Sequence, residues 1–172
     1  ACRQDQGLFQ EAMSILISFI SIAVLTAADQ VIKFFVERYL QPIGTAEFIN
    51  GFIDWNYVRN TGAAFGSFSQ STTMLSIVTG AVILAGIILI ATKKIKSKFY
   101  LTCAVMIISG GLGNFIDRIF KGYVVDFIDV QFADFAVFNF ADILVTVGAI
   151  ALMIYIIVDM VRDRKKTGEK HE

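Results

Sequence analysis

The stretch TTMLSIVTGAVILAGIILIAT, residues 72–92, contains no charged side chain. A bilayer core is crossed by about 20 mostly apolar helical residues, whereas a helix of a soluble bundle keeps a polar face for water. The stretch has no such face, so it predicts a transmembrane helix. Apolar runs at about residues 13–35, 99–120 and 140–161 have the same character. The sequence therefore predicts an all-α membrane protein with four transmembrane helices.

Composition supports this prediction and excludes several kinds of site. Of the 172 residues, 56% are hydrophobic, and the mean hydropathy is +0.67. The net charge of zero gives no reason to expect nucleic-acid binding. The only histidine, His171, lies in the polar tail, which excludes Ser-His-Asp triads and histidine-rich zinc sites. We expect no metal or cofactor, and we expect Cys103, inside an apolar run, to be a small core residue.

Basic residues orient the four predicted helices, because loops rich in Lys and Arg stay in the cytoplasm. The connection Lys93–Lys98 is rich in lysine, and residues 162–172 form a basic tail. Both are expected in the cytoplasm, which also places residues 1–11, a polar N-terminal tail, on that side. Residues 1–172 then form a single integral membrane domain whose other two connections face outward.

The outer connection at about residues 42–71 has the pattern of a β-hairpin. Asn50-Gly51 favours a tight turn, and Ile53, Trp55 and Tyr57 alternate with polar residues, as in a strand on an apolar surface. We predict a small outer-leaflet sheet between helices one and two. The alternative is an irregular outer loop.

Two carboxylates are candidates for acid–base chemistry at the outer ends of these helices. Asp126 lies between apolar residues after the third run, and Asp142 lies at the start of the fourth. Two carboxylates in one poorly hydrated site share a proton, so one can activate water while the other protonates a carbonyl. Asp129 and Asp134 are alternative partners. Asp142 could instead only cap a helix, because Asn139 and Asp142 have N-cap and N3 spacing.

Other polar residues fall at the same outer ends. Asn114 can share a helix face with Asp117 or Arg118, and Arg118 could donate to a substrate carbonyl or hold a carboxylate. Glycines precede this triplet, and small residues allow close helix packing in lipid. Asp29 and Lys33 are four residues apart and predict an intrahelical ion pair.

The segment from Asn60 to Gly66 is polar and then small, with Gly62 inside it. An amide such as Asn60 could pair with the backbone of an extended peptide. The alternative is a simple turn before the second helix.

These segments together resemble the lipoprotein signal peptidase family, also called signal peptidase II. The resemblance covers about residues 25–160 and rests on five blocks in the family's order. They are Asp29-Gln30-Val31-Ile32-Lys33, Asn60-Thr61-Gly62-Ala63-Ala64-Phe65, Gly110-Gly111-Leu112-Gly113-Asn114-Phe115-Ile116-Asp117-Arg118, Val124-Val125-Asp126-Phe127 and Phe138-Asn139-Phe140-Ala141-Asp142.

The resemblance implies an aspartyl endopeptidase of the bacterial cytoplasmic (inner) membrane with Asp126 and Asp142 as its catalytic pair. Its implied substrates are prolipoproteins that carry diacylglyceryl on the cysteine after the cleaved bond. Membrane lipid and cyclic-peptide inhibitors are further implied partners, and we expect a monomer. By the same resemblance, the residues that line or support the site are Asn60, Gly62, Asn114, Arg118, Asn139, Asp29, Lys33 and Asp117.

Different classes of function remain open from the residues alone. A small proton-coupled transporter would also use membrane carboxylates, although transport sites lie near the bilayer midplane. A prepilin-type aspartyl protease would place its aspartates on the cytoplasmic side, opposite to the topology predicted here. A purely structural membrane protein would leave the outer polar cluster without a role.

Overall fold

A computed structural model describes residues 2–62 and 72–168 of the chain. Its helices and strands follow one another along the chain in the order of the predicted spans and hairpin. They are α1 (Cys2–Phe35), a π-helical turn (Val36–Leu40), β1 (Thr45–Ile49), β2 (Ile53–Asn60), α2 (Thr72–Ala91), α3 (Lys98–Lys121), β3 (Val124–Val130) and α4 (Phe140–Gly168).

Among the described residues, four helices are long and apolar enough to cross a membrane, which confirms the predicted fold class. The candidate spans are Leu8–Leu40, Thr72–Ala91, Lys98–Lys121 and Phe140–Arg162. Only 17% of the most apolar window of α2 is buried inside the protein. Its apolar side chains therefore face outward, as they do in a helix surrounded by lipid. The segment 1–11, predicted as a tail, differs in form, because α1 is already helical from Cys2.

The helix α3 lies at the centre of the bundle and packs against α1, α2 and α4. The packing depends on glycines: a Cβ on Gly110 would clash with the backbone oxygen of Ala141 in α4, and one on Gly113 would clash with the Asp29 carboxylate in α1. Close packing through small residues, predicted for this segment, is therefore present. Cys103 is buried with 2% exposure, as expected of a core residue.

The predicted hairpin is present as β1 and β2, which pair antiparallel, so the irregular-loop alternative is wrong. Gly51 in the turn has a left-handed backbone with φ 72°, a conformation that glycine adopts without steric cost. The predicted alternation does not continue unbroken to Tyr57. The register shifts between Trp55 and Val58 and gives β2 one extra residue, as in a β-bulge.

A third strand, β3, completes the sheet in the order β1-β2-β3. It begins directly after α3, where Gly122 caps the helix in a left-handed conformation with φ 78°. Val58 pairs with Asp126 and Asn60 with Val124 in the antiparallel ladder. Asp126 therefore lies on a strand of the sheet rather than in a loop between α3 and α4.

Candidate active site

Asp126 and Asp142 come from different elements and are joined through Asn139. The side-chain amide of Asn139 donates to Oδ1 of Asp126 at 2.6 Å, and its backbone N–H donates to Oδ2 of Asp142 at 3.1 Å. Asn139 is fully buried and Asp126 is 2% exposed. A single buried residue thus holds a carboxylate of the sheet and a carboxylate of the bundle in one hydrogen-bonded group.

Asp142 also takes part in the cap of α4, which was the alternative explanation of its position. Oδ1 of Asn139 accepts from the backbone N–H of Asp142 at 3.0 Å, while Asp142 accepts from the backbone N–H of Asn139. This reciprocal pair is a capping box, with Asp142 in the position that Glu or Gln usually occupies. The cap uses only one carboxylate oxygen of Asp142. The other accepts from Asn114 at 2.7 Å, so the cap orients Asp142 without removing it from the site.

Asn60 contacts the aspartate site directly. At the end of β2, its amide donates to Oδ2 of Asp126 at 2.8 Å, and its oxygen accepts from the backbone N–H of Gly62 at 3.0 Å. Asn60 therefore orients Asp126, whereas the sequence suggested a contact with an extended peptide. The rest of the segment that was predicted from Asn60 to Gly66, residues 63–66, lies outside the described residues.

Asn114 connects the pair of Asp126 and Asp142, here called the dyad, to a buried ion cluster. Its oxygen accepts from Nζ of Lys33 at 2.8 Å and from the amide of Asn139 at 3.1 Å. Lys33 forms ion pairs with Asp29 at 2.9 Å, as the spacing predicted, and with Asp117 at 3.0 Å. Lys33, Asp29 and Asp117 are all fully buried. Buried charges are tolerated only when they are paired and hydrogen-bonded, so these contacts hold one another in place.

The same carboxylates also join the helices to each other. Oδ1 of Asp29 in α1 accepts from the backbone N–H of Ala141 at 3.1 Å, in the first turn of α4. Oδ2 of Asp117 in α3 accepts from the backbone N–H of Val125 in β3 at 3.4 Å. Asp29 and Asp117 therefore support the residues next to Asp142 and Asp126 rather than form part of the dyad.

Arg118 is half-buried and lies within electrostatic range of Asp142 and Asp126. It borders a cavity of about 370 Å³ between α2 and α3, together with Ser76, Gly80 and Phe115. The cavity has mostly apolar walls, and Arg118 is the residue that both borders it and lies within electrostatic range of the two aspartates. Arg118 is therefore placed to donate to a group that enters the site from this side.

The alternative partners lie elsewhere. Oδ2 of Asp129 accepts from the side-chain amide of Asn56 at 2.9 Å, and Asp134 is exposed in the turn after β3. Among residues 2–62 and 72–168, no three His, Cys, Asp or Glu side chains are grouped as they are in a metal site.

Burial raises the pKa of the Asp126 carboxyl to about 6. The hydrogen bonds from Asn60 and Asn139 oppose this rise, and the nearby carboxylate of Asp142 adds to it. A carboxyl group with this pKa, beside a second carboxylate, can keep a proton near neutral pH and donate it.

Three polar residues near the site were missed by the sequence reasoning. Glu37 lies in the π-helical turn, Lys121 is the last residue of α3 and Tyr123 precedes β3. Lys121 pairs with Glu37 at 2.8 Å and with Asp117 at 3.1 Å. A charged residue one turn after Asp117 was visible in the sequence, but its partner is 84 residues away.

Comparisons with known proteins identify the family of this chain. The family model described as signal peptidase (SPase) II matches residues 21–158. A lipoprotein signal peptidase from Streptococcus agalactiae is 40% identical over 81% of this chain and 90% of its own length. One from Caldanaerobacter subterraneus is 40% identical over 78% and 92%.

A solved structure described as a bacterial membrane enzyme matches with a TM-score of 0.76 at 33% identity. The match covers 84% of this chain and 89% of that one. The matched range includes α2, α3, the three strands, the second half of α1, most of α4 and every residue named in the aspartate site. The chain therefore belongs to the signal peptidase II family of membrane-embedded peptidases.

Proposed function

We propose that this protein removes the signal peptide from diacylglyceryl-modified prolipoproteins by cutting the peptide bond before the lipidated cysteine, with Asp126 and Asp142 as its catalytic residues. The observation that carries the proposal is the bridge by Asn139, a buried residue that joins the two aspartates in one hydrogen-bonded group. Family membership and the names of the relatives support the substrate class.

The chemistry is hydrolysis through a shared proton. Asp126, whose pKa is raised by burial, holds the proton and donates it to the carbonyl oxygen of the scissile bond. Asp142 accepts a proton from water as the water oxygen bonds to the carbonyl carbon. When the C–N bond breaks, the leaving nitrogen takes a proton from the dyad. The products are a carboxyl group on the signal peptide and a free amine on the lipidated cysteine.

The surrounding residues position rather than react. Asn60, Asn114 and Asn139 donate amide N–H groups to the two carboxylates and fix their orientation. Arg118 is placed to bind a backbone carbonyl of the substrate beside the cavity between α2 and α3. The diacylglyceryl chains remain in the bilayer, so they anchor the cysteine at the dyad. Unmodified precursors, which lack this anchor, are then poor substrates.

The protein lies in the bacterial cytoplasmic membrane, with both termini in the cytoplasm and the dyad in the outer leaflet. The orientation is supported by Lys93, Lys94, Lys96 and Lys98, which lie between α2 and α3, at the opposite ends of these helices from the sheet and the dyad. We also propose that the protein is a monomer and that cyclic peptides inhibit it.

The test is a gel-shift cleavage assay in detergent with a diacylglyceryl-modified prolipoprotein and a chelator. We expect cleavage by the parent protein and none by folded Asp126→Asn or Asp142→Asn. Asp129→Asn is the matched control and should keep activity. Cleavage that persists in either dyad variant would move the role to another aspartate, and equal turnover of unlipidated precursor would disprove the lipid-anchor proposal.

A further inference from the structure

The two proposed catalytic aspartates belong to separate parts of the molecule. Asp126 is on β3 of the sheet, and Asp142 is in the first turn of α4 in the bundle. Their separation therefore depends on contacts that hold the sheet against the helices. Asn139 and Asn60 bind the dyad directly, and Asn60 also pairs with Val124 at the edge of the sheet where β3 begins.

That edge is also held by Glu37, which lies in the π-helical turn after α1. Oε2 of Glu37 accepts from Nζ of Lys121 at 2.8 Å, and Oε1 accepts from the hydroxyl of Tyr123 at 3.4 Å. Lys121 ends α3, and Tyr123 is the residue immediately before β3. One carboxylate thus contacts both sides of the joint at Gly122, where the chain passes from bundle to sheet. A π-helical turn of this kind is uncommon and often occurs at functional sites.

The cluster of Glu37, Lys121 and Tyr123, here called the hinge cluster, continues in two directions. On the bundle side, Lys121 lies 3.1 Å from Oδ1 of the buried Asp117, although outside hydrogen-bonding geometry. Asp117 in turn pairs with Lys33. On the sheet side, the guanidinium of Arg59 lies 4.9 Å from the centre of the Tyr123 ring.

Both of these chains of contacts lead to the dyad. Lys33 donates to Asn114, which donates to Asp142. Arg59 is followed by Asn60, which donates to Asp126. The hinge cluster therefore joins the two chains of contacts that position the two aspartates. Glu37 and Lys121 are about one-quarter exposed, so the pair is partly shielded from water and less screened than a surface pair.

We propose that Glu37 and Lys121 are positioning residues for the peptidase reaction, which hold β3 against α3 so that Asp126 stays in register with Asp142. The inference rests on the proposed function, because it assumes that these two aspartates react. Neither Glu37 nor Lys121 touches the dyad or a place where substrate would bind, so their effect passes through Asp117 and Tyr123.

Loss of the hinge cluster should affect the chemical step more than binding. Small displacements of catalytic groups by distant mutations lower the rate by up to roughly 100-fold. The cavity beside Arg118 is formed by α2 and α3 alone, so KM should change little. A displaced sheet would also let more water reach Asp126, so the pKa of Asp126 would move down towards its ordinary value.

This pH effect is specific, because Glu37 is not one of the groups that face Asp126 and any effect on the pKa of Asp126 must pass through a movement of the sheet. The side chains that face it or act on it electrostatically are Asn60 from β2, Asn139, Asp142 from α4, Lys33 from α1 and Arg118 from α3. A change that only weakens the fold would lower the amount of active protein and leave the pH profile unmoved.

The experiment measures kcat, KM and the pH profile of Glu37→Gln and Lys121→Arg in nanodiscs, with a diacylglyceryl-modified prolipoprotein as substrate. Glu37→Gln keeps the shape and removes the charge, and Lys121→Arg keeps the ion pair. The matched control is Lys93→Met, which breaks an exposed pair of similar length, 3.1 Å, with Glu11. Asp126→Asn and Asp142→Asn are measured in the same series to test the proposed function separately.

We expect Glu37→Gln to lower kcat by roughly 10-fold or more, with KM within about twofold and the upper limb of the profile at lower pH. Lys121→Arg and Lys93→Met should stay within about twofold of the parent. The hinge proposal would be overturned if Glu37→Gln had the same kcat as Lys93→Met, or if it lost activity while its pH profile stayed in place. Neither outcome would affect the proposed function. Activity in Asp126→Asn or Asp142→Asn would instead overturn the proposed function.

Discussion

The side-chain amide of Asn139 lies 2.6 Å from Oδ1 of Asp126 and connects the turn before α4 to a strand of the sheet. The same residue caps α4 through its backbone and side-chain contacts with Asp142. Orientation of the dyad and initiation of the helix are therefore functions of one asparagine.

Asn139→Ala should reduce both activity and stability, but by different amounts. Loss of the cap costs about 1 kcal/mol of unfolding free energy, whereas misplacement of the two aspartates should lower kcat/KM by roughly 100-fold. Cleavage kinetics and thermal unfolding of the same preparation would measure both. Asn56→Ala, which removes the contact with Asp129, is the control, and an equal loss of kcat/KM there would contradict the assignment.

Lys33→Met should destabilise the protein by roughly 3–5 kcal/mol, because Asp29 would lose its ion pair and Asp117 would keep only that with Lys121. The free energy of unfolding, measured by denaturant titration in detergent micelles, tests this expectation. Lys93→Met breaks an exposed ion pair and should change the same quantity by about 0–1 kcal/mol. Similar effects of the two changes would show that the buried cluster does not stabilise the fold.

Gly113→Ala should impair folding and activity, because the added Cβ would clash with the Asp29 carboxylate. Gly111→Ala is the matched control two residues away, where the nearest atom, Cγ1 of Ile83, lies 3.4 Å from the added Cβ. We expect a lower melting temperature and less cleavage for the first variant and near-parent values for the second. Parent-like behaviour of Gly113→Ala would mean that α1 and α3 can separate without cost.

The pH dependence of kcat/KM should have an upper limb near pH 6, where Asp126 loses the shared proton. Asn60→Ala removes a hydrogen bond that stabilises the ionised form, so the limb should move to higher pH. Initial rates between pH 4 and 9 would locate it, and the apparent pKa belongs to the coupled pair. Movement of the limb to lower pH in Asn60→Ala would reverse the roles assigned to the two aspartates.

Stability should also depend on pH through Asp126. The pKa of Asp126 is about 6 in the folded protein, higher than the ordinary value of 3.8 for an aspartate, so the folded state binds more protons between these values. The contribution of Asp126 to unfolding free energy is fully present below about pH 4 and is lost as the pH rises through about 6. Melting temperatures of the parent should therefore fall more between pH 4 and pH 7 than those of Asp126→Asn.

The sequence was most informative where local pattern alone decides structure. The uncharged α2 and the turn at Asn50-Gly51 were predicted correctly, because span length and turn geometry depend on neighbouring residues. The ion pair of Asp29 with Lys33 was also local, one helical turn apart. The choice of Asp126 over Asp129 came from the resemblance to the family and not from spacing.

Features that depend on distant partners were missed. β3 is rich in β-branched residues, but it is a strand because it pairs with β2, and Asn60 meets Asp126 across 66 residues. The contact of Glu37 with Lys121 spans 84 residues. Nothing in either local segment identifies its partner. The helical form of residues 2–11 was missed because polarity was taken as a sign of a tail, although Arg, Gln, Leu and Glu favour helix.

The ion cluster around Lys33 also constrains how the chain is assembled in the membrane. When α1 is inserted, Asp29 and Lys33 are one turn apart on the same helix and neutralise each other. Asp117 arrives only with α3, and Lys121, at the end of the same helix, brings the charge that balances it. Each of these two helices thus brings to the ion cluster a carboxylate and a lysine one turn apart, so neither helix adds an unbalanced charge to the cluster.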